Sequence, residues 1–131
     1  MSMKWDNNGL KTPLARARGL GSAKEGADHW FSQRLTAIAN IPLMIWLILS
    51  VVSMQGASYQ EFTYWLSQPI NAILMILTII SVFYHAKLGS QVIAEDYIHC
   101  EAMKTAKLIS MKLFFFGAAI ASIFAVLKIA L

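Results

Sequence analysis

One histidine and one Asp-Tyr pair are the residues of this chain whose types and spacing could support chemistry. His85 lies near the end of a long apolar run, and Asp96 and Tyr97 follow just beyond it. A histidine within a membrane-spanning helix is energetically costly, so its presence calls for a specific partner. If the helix continues, the eleven residues from His85 to Asp96 make about three turns. Both would then share one face, roughly 16 Å apart along the axis.

Two interpretations of His85 follow from its residue type and position. A neutral imidazole nitrogen is a good haem-iron ligand, and Gly89, one turn further on, could let a flat macrocycle or a second helix approach. The alternative is a histidine hydrogen-bonded to a neighbouring helix, with Gly89 as a packing notch. The other histidines, His29 and His99, are predicted at the start of the first helix and in the second connection, and neither is assigned a role. Because one histidine cannot supply both axial ligands, a haem on His85 would require a second chain.

Three further polar residues fall at the same end of the predicted spans. Arg34 starts the first span and could pair with a haem propionate, or simply anchor the helix at lipid phosphates. The phenol of Tyr97 can donate a hydrogen bond to a quinone carbonyl, and the carboxylate of Asp96 can orient the phenol or help deliver protons. The alternative is a polar helix terminus that faces water. Acidic residues are unfavourable at a helix C-terminus, which favours a specific role for Asp96.

The elements that must position these residues are three long apolar blocks. The chain has 131 residues, is 57% hydrophobic and carries 14% charged residues, whereas soluble domains average about 25% charge. A block of about 20 apolar residues can cross a ~30 Å hydrocarbon core. We therefore predict an all-α integral membrane protein with a polar cytoplasmic arm over residues 1–27 and a three-helix membrane anchor over 28–131. The transmembrane helices are predicted at about 29–54, 67–94 and 105–131.

The placement of the basic residues predicts the topology. Six lie before the first span, none lies in the first connection, and three lie around the second connection: Lys87, Lys104 and Lys107. By the positive-inside rule the N-terminus is cytoplasmic and the C-terminus periplasmic. Since these charges flank apolar spans, they need no nucleic-acid partner. We predict a multi-pass protein of the bacterial inner membrane, with the mitochondrial inner membrane as the second choice.

Several polar and aromatic residues predict how the helices are capped, packed and joined. Asp28 is predicted to cap the first helix, and Asn40 to form an interhelical hydrogen bond. Trp46 falls mid-span and is predicted to be a packing residue. The aromatic segment 55–68 is predicted to be a short interfacial hairpin turn. Cys100 is the single cysteine, so it can form no internal disulfide.

The chain resembles the hydrophobic membrane anchor subunits of succinate dehydrogenase, the enzyme also called respiratory complex II. The resemblance covers most of the chain. The arm from Thr12 to Gly26 looks like the alphaproteobacterial form, and the segment from His29 to Ala39 resembles the family's first-helix entry. The most specific part is the motif His85-Ala86-x-x-Gly89-x-Gln91-Val92-x-x-x-Asp96-Tyr97.

The resemblance implies a role for each of these residues. A haem b would lie between this subunit and a cytochrome b membrane subunit, in one heterodimeric helical bundle, with His85 as an axial ligand of the haem iron. Arg34 would lie near the haem propionates. Asp96 and Tyr97 would form part of the ubiquinone-reduction site, with Tyr97 as the direct donor. A flavoprotein subunit and an iron–sulfur subunit would dock on the cytoplasmic face and deliver electrons from succinate, so this chain would not be catalytic alone.

Three alternative functions stay open at the level of sequence. A fumarate reductase anchor would work in the quinol-oxidising direction, which depends on the quinone potential and on the partners. A purely structural anchor would carry no redox site. A small transporter subunit would need polar residues along a path through the membrane, for which Asn40, Asn71 and Thr78 are the candidates.

Overall fold

Three of the helices that this chain forms are long enough to cross a membrane. The computed structural model describes Leu14 and residues 26–131, so the predicted arm lies almost entirely outside the described residues. Residues 26–131 form α1 (Gly26–Ser53), α2 (Tyr59–Ser67), α3 (Pro69–Tyr97) and α4 (Glu101–Ala130). By length and composition, α1, α3 and α4 can each span a bilayer. The predicted all-α membrane architecture is confirmed.

The three long helices form a layer with α3 at its centre. In the described part of the chain α3 contacts both α1 and α4, whereas α1 and α4 do not contact each other. Thr36 of α1 faces His85 of α3, and Asn40 faces Ser81. A step of four residues towards the C-terminus of α1 therefore matches a step of four residues towards the N-terminus of α3. The two helices are antiparallel, and this register places the start of α1 beside the end of α3.

The layer buries little of its own apolar surface. Most large apolar side chains of α1 and α4 are exposed, for example Ile38 at 66% and Phe124 at 67%. So much exposed apolar surface is typical of a protein that meets lipid or another subunit. The buried residues among those described are Leu66, Ala72, Thr78, Leu88, Ala94 and Val126. One layer therefore leaves two apolar faces for lipid chains or for helices of a partner.

Trp46 packs as predicted, and it joins α1 to α2. Its ring stacks on that of Trp65, with centroids 5.9 Å apart and an interplanar angle of 18°. Trp65 also packs on a small cluster at this end of the layer, formed by Leu66, Ala72 and Val126. The short helix α2 thus closes the end of the layer that lies opposite His85.

The segment predicted to be a hairpin turn is helical instead. Ser58 caps α2, and a capping box joins it to Glu61: the Glu61 N–H donates to Ser58 Oγ at 3.3 Å, and the Ser58 N–H donates to Glu61 Oε2 at 2.7 Å. The Ser58 N–H, and secondarily its hydroxyl, hold the pKa of the Glu61 carboxyl below its usual value. Ser-x-x-Glu is a known signature of a helix start. The turn prediction was therefore wrong, although the signal was present in the sequence.

The ends of the long helices differ from the prediction in ways that affect the site. α1 begins at Gly26, so Asp28 lies in the first turn and does not cap the helix, although its charge still suits a helix N-terminus. α3 continues to Tyr97, three residues beyond its predicted end, and so includes Asp96. α4 begins at Glu101, four residues before its predicted start. The continuous α3 satisfies the condition under which His85 and Asp96 share a face.

Candidate functional site

A polar seam joins α1 to α3 within otherwise apolar surfaces. On α1, four polar residues recur at intervals of three or four and therefore share one face: His29, Gln33, Thr36 and Asn40. The Ser81 hydroxyl of α3 donates to Asn40 Oδ1 at 2.6 Å, which confirms the predicted interhelical bond of Asn40. Such bonds between membrane helices are worth about 0.6 to 2 kcal/mol each. The seam therefore helps to hold the register of α1 against α3.

The hydroxyl of Thr36 contacts the ring of His85 within this seam, so His85 forms the hydrogen bond to a neighbouring helix that its alternative interpretation predicted. Thr36 Oγ1 lies 3.0 Å from His85 Nδ1, and it also lies 2.8 Å from the carbonyl oxygen of Ser32 and 3.1 Å from that of Gln33. A threonine hydroxyl has one proton, which these carbonyls can accept, while its oxygen accepts from Nδ1–H. We infer that the imidazole proton resides on Nδ1, which leaves a lone pair on Nε2. Residues 26–131 form no hydrogen bond with Nε2.

His85 and Arg34 line one open groove between α1 and α3, here called the histidine groove, with a cavity volume of about 460 Å³. The guanidinium carbon of Arg34 lies 4.4 Å from the centroid of the Trp30 ring, a cation–π geometry. Arg34 forms no salt bridge within residues 26–131. Its positive charge therefore remains available to an anion in the groove. The lining residues are His29, Trp30, Gln33, Arg34, Ala37, His85 and Val92.

Two buried polar atoms at this groove lack hydrogen-bond partners within the described residues: His29 Nε2 and Gln33 Oε1. A buried polar atom left unpaired costs about 1–3 kcal/mol. A hydrogen-bond partner for either atom must therefore come from beyond the described residues. His29 had no predicted role, yet its spacing from Gln33 and Thr36 in an apolar helix is a signal that could have found it.

Gly89 lies across from Gln33 in the same interface. A Cβ built on Gly89 would lie 3.5 Å from Gln33 Nε2, which is an ordinary van der Waals contact. The approach of α1 to α3 therefore does not by itself require a glycine at this position. The packing-notch interpretation of Gly89 loses support, and space for an external group beside α3 remains the other interpretation.

Asp96 and Tyr97 lie outside the lining of the histidine groove, in the last turn of α3. Both are exposed, Tyr97 at 78%. Consecutive helical residues point about 100° apart, and no hydrogen bond joins Asp96 to Tyr97 in the described structure. Asp96 shares the face of His85, whereas Tyr97 does not. The chain brings His85 and Arg34 together, but it does not by itself enclose a site around the Asp-Tyr pair.

The donor set of the histidine groove limits its chemistry. Among residues 26–131, no cluster of three or more His, Cys, Asp or Glu side chains could hold a metal ion. The groove instead offers one imidazole ligand, one unpaired guanidinium and two unpaired polar atoms. This set offers one ligand to a metal ion and one positive charge to an anionic group.

The fold defines a multi-span helical membrane protein, and the histidine groove between α1 and α3 is its candidate binding site. The family profile described as succinate dehydrogenase/fumarate reductase transmembrane subunit matches residues 8–126. The chain belongs to this family, as a membrane anchor subunit of succinate dehydrogenase, which confirms the resemblance.

Curated relatives agree with this placement. The succinate dehydrogenase hydrophobic membrane anchor subunit of Rickettsia bellii is 35% identical over 80% of this chain and 84% of the relative. The corresponding subunit of Paracoccus denitrificans is 28% identical over 76% of this chain and 78% of the relative. The succinate dehydrogenase membrane anchor subunit of Reclinomonas americana is 31% identical over 60% and 68%, respectively. No solved structure matches the chain significantly.

Proposed function

We propose that this anchor subunit holds one side of a haem b through His85 and contributes Asp96 and Tyr97 to a ubiquinone-reduction site. A cytochrome b membrane subunit supplies the second axial ligand. The iron–sulfur and flavoprotein subunits dock on the cytoplasmic face and deliver the electrons of succinate. The N-terminus of the chain is cytoplasmic and its C-terminus periplasmic in a bacterial inner membrane.

The contact between Thr36 and His85 is the observation that carries the haem proposal. Histidines that bind metals almost always donate their other ring N–H to a fixed acceptor, which sets the tautomer and the ring orientation. Thr36 Oγ1, 3.0 Å from Nδ1, is such an acceptor. With the imidazole proton on Nδ1, as inferred above, Nε2 keeps the lone pair through which an imidazole nitrogen binds iron.

The other residues of the histidine groove fit the remaining parts of a haem. The guanidinium of Arg34, held beside Trp30 and without a carboxylate partner in the described residues, can pair with a propionate. His29 Nε2 and Gln33 Oε1, which have no hydrogen-bond partner among residues 26–131, lie beside the same space. Gly89 leaves the adjacent surface of α3 without a side chain. When bound, the haem supplies a one-electron redox centre within the membrane.

The exposed end of α3 supports the quinone proposal. A quinone diffuses in the bilayer, whereas electrons and protons reach it from the aqueous side, so its site belongs where a span meets the interface. The exposed hydroxyl of Tyr97 can donate to a quinone carbonyl oxygen, and the exposed carboxylate of Asp96 can pass protons from water. Because the two side chains diverge, they act on the quinone separately and not as a hydrogen-bonded pair.

The test is replacement of His85 by Ala in the intact complex, purified in mild detergent. We expect the complex to assemble while the dithionite-reduced absorbance of haem b disappears or shifts. The matched control is His99→Ala, which removes an exposed histidine in the connection between α3 and α4. An unaltered bis-histidine haem spectrum in the His85→Ala complex would refute the proposal, and a wild-type complex without haem would favour a purely structural anchor.

A further inference from the structure

A second groove runs between α3 and α4, with a volume of about 600 Å³. Two lysines line one end of it, Lys87 from α3 and Lys112 from α4. The middle is walled by Phe83 and Phe116, and the far end by residues such as Ile123. We refer to it as the lysine groove. We propose that the lysine groove binds one anionic phospholipid, with its phosphate between the two lysines and an acyl chain along the aromatic and aliphatic walls.

The dimensions of the lysine groove match one leaflet of a bilayer. Eleven residues separate Lys112 from Ile123 on α4, which is about 16 Å along a helix. Half of a ~30 Å hydrocarbon core is about 15 Å. The lysines lie at the end of the groove nearer the connection between α3 and α4. Their aliphatic stems stay among apolar groups, while their ammonium groups can extend towards the headgroups. Basic groups at the headgroup level and apolar walls below them are the two requirements of an anionic lipid site.

The charges of the lysine groove favour an anionic headgroup over a neutral ligand. No carboxylate lines the groove, and neither lysine forms a salt bridge within residues 26–131. Lys87 Nζ lies 5.4 Å from the centroid of the Tyr84 ring, so its ammonium is held against the wall of the groove. Two like charges at one mouth repel each other, and a phosphate between them would remove that repulsion. A neutral quinone would not.

The position of the lysine groove separates it from the histidine groove. At about 100° per residue, Phe83 and Lys87 each lie about 160° around α3 from His85. The histidine groove opens between α1 and α3, whereas the lysine groove opens between α3 and α4. A partner subunit that covers His85 therefore need not cover the lysines. This proposal does not depend on the haem or quinone roles.

The experiment measures lipid retained by the intact complex. The complex is reconstituted in nanodiscs of phosphatidylcholine mixed with phosphatidylglycerol, re-extracted in detergent, and analysed by quantitative lipid mass spectrometry. The test variants are the double replacement Lys87→Gln with Lys112→Gln, which removes the charges, and Ala119→Trp, which fills the groove. Each lysine near a membrane surface strengthens anionic lipid binding about fivefold, so two lysines together contribute more than tenfold. We expect at least a tenfold loss of retained phosphatidylglycerol in the double variant and a comparable loss in Ala119→Trp.

The matched control is Lys107→Gln on the same helix. Lys107 lies five residues before Lys112, about 140° around α4, and lines a different groove. Retention of phosphatidylglycerol in this variant, with loss in both test variants, supports the site. Equal losses in all three variants would mean that the positive charge of the surface, and not a specific site, retains the lipid. That result would overturn the proposal. It would equally be overturned if the wild-type complex retained no phosphatidylglycerol, or if a crosslinker placed at residue 116 captured a helix of a partner subunit.

Discussion

The hydroxyl of Ser81 on α3 donates a 2.6 Å hydrogen bond to the side-chain oxygen of Asn40 on α1. This pair lies one turn from the pair of Thr36 and His85, on the same seam. Because α1 and α3 are antiparallel, the two contacts share one register, and a slip of either helix would break both. The bond between Ser81 and Asn40 therefore positions His85 without touching it.

Removal of this bond should weaken the layer and loosen His85. We expect Ser81→Ala to lower the stability of the complex by about 0.6 to 2 kcal/mol, the usual range for hydrogen bonds between membrane helices. Thermal unfolding of the detergent-solubilised complex, followed by the loss of haem absorbance, measures the change. The matched control is Ser110→Ala, because Ser110 bonds only to a carbonyl of its own helix. Equal melting temperatures for the two variants would contradict a role for the seam.

The Thr36 hydroxyl should tune the haem that His85 is proposed to hold. Thr36→Val removes the acceptor of Nδ1–H, which lowers the basicity of the imidazole and so disfavours the oxidised iron. A hydrogen bond of about 1 kcal/mol corresponds to tens of millivolts for a one-electron couple. We expect a higher haem midpoint potential in Thr36→Val, measured by redox titration, and a near wild-type value in Thr36→Ser.

The Thr36 and His85 variants test two separate assignments, the tautomer of His85 and its role as a haem ligand. If His85→Ala loses the haem while Thr36→Val leaves the midpoint potential and the electron paramagnetic resonance spectrum unchanged, only the tautomer assignment is wrong. If His85→Ala leaves the haem spectrum intact, the ligand assignment itself is wrong.

Loss of the Tyr97 hydroxyl should impair quinone reduction selectively. We expect Tyr97→Phe to lower succinate:ubiquinone reductase activity about 100-fold, in the range attributed to one positioned proton donor. Succinate oxidation by an artificial acceptor that bypasses the quinone should persist, since the exposed hydroxyl forms no hydrogen bond within residues 26–131. The matched control is Tyr84→Phe, the same change on another exposed tyrosine of α3. Wild-type quinone reduction in Tyr97→Phe would exclude the donor role.

The three membrane helices could be predicted from the sequence because the ability to cross a bilayer depends only on the residues of the segment itself. Length and hydropathy decide whether a segment can cross the bilayer, and neither depends on a neighbour. The helix ends were less predictable: α3 runs to Tyr97 through Glu95 and Asp96, although acidic residues are unfavourable near a helix C-terminus. The capping box of Ser58 and Glu61 was readable, but the aromatic content of its segment favoured a turn.

Some residues of the candidate site could also be recognised from the sequence alone, whereas others could not. His85 stands out in the sequence because histidine is rare and costly at membrane depth. The motif that follows it indicates the family, and the spacing from His85 to Asp96 already implies a shared face. Residue type and spacing along one helix can both be read from a single segment of the sequence, without knowledge of how the helices pack.

Only the tertiary structure decided which groups meet across helices. Thr36 is an unremarkable residue of α1 until the antiparallel register places its hydroxyl 3.0 Å from His85 Nδ1, 49 residues away in the chain. The same packing leaves His29 Nε2 without a partner among the described residues, and it separates the histidine groove from the lysines of α3 and α4. Sequence periodicity specifies which face of a helix a residue occupies, but the partner of that face depends on how the helices pack together.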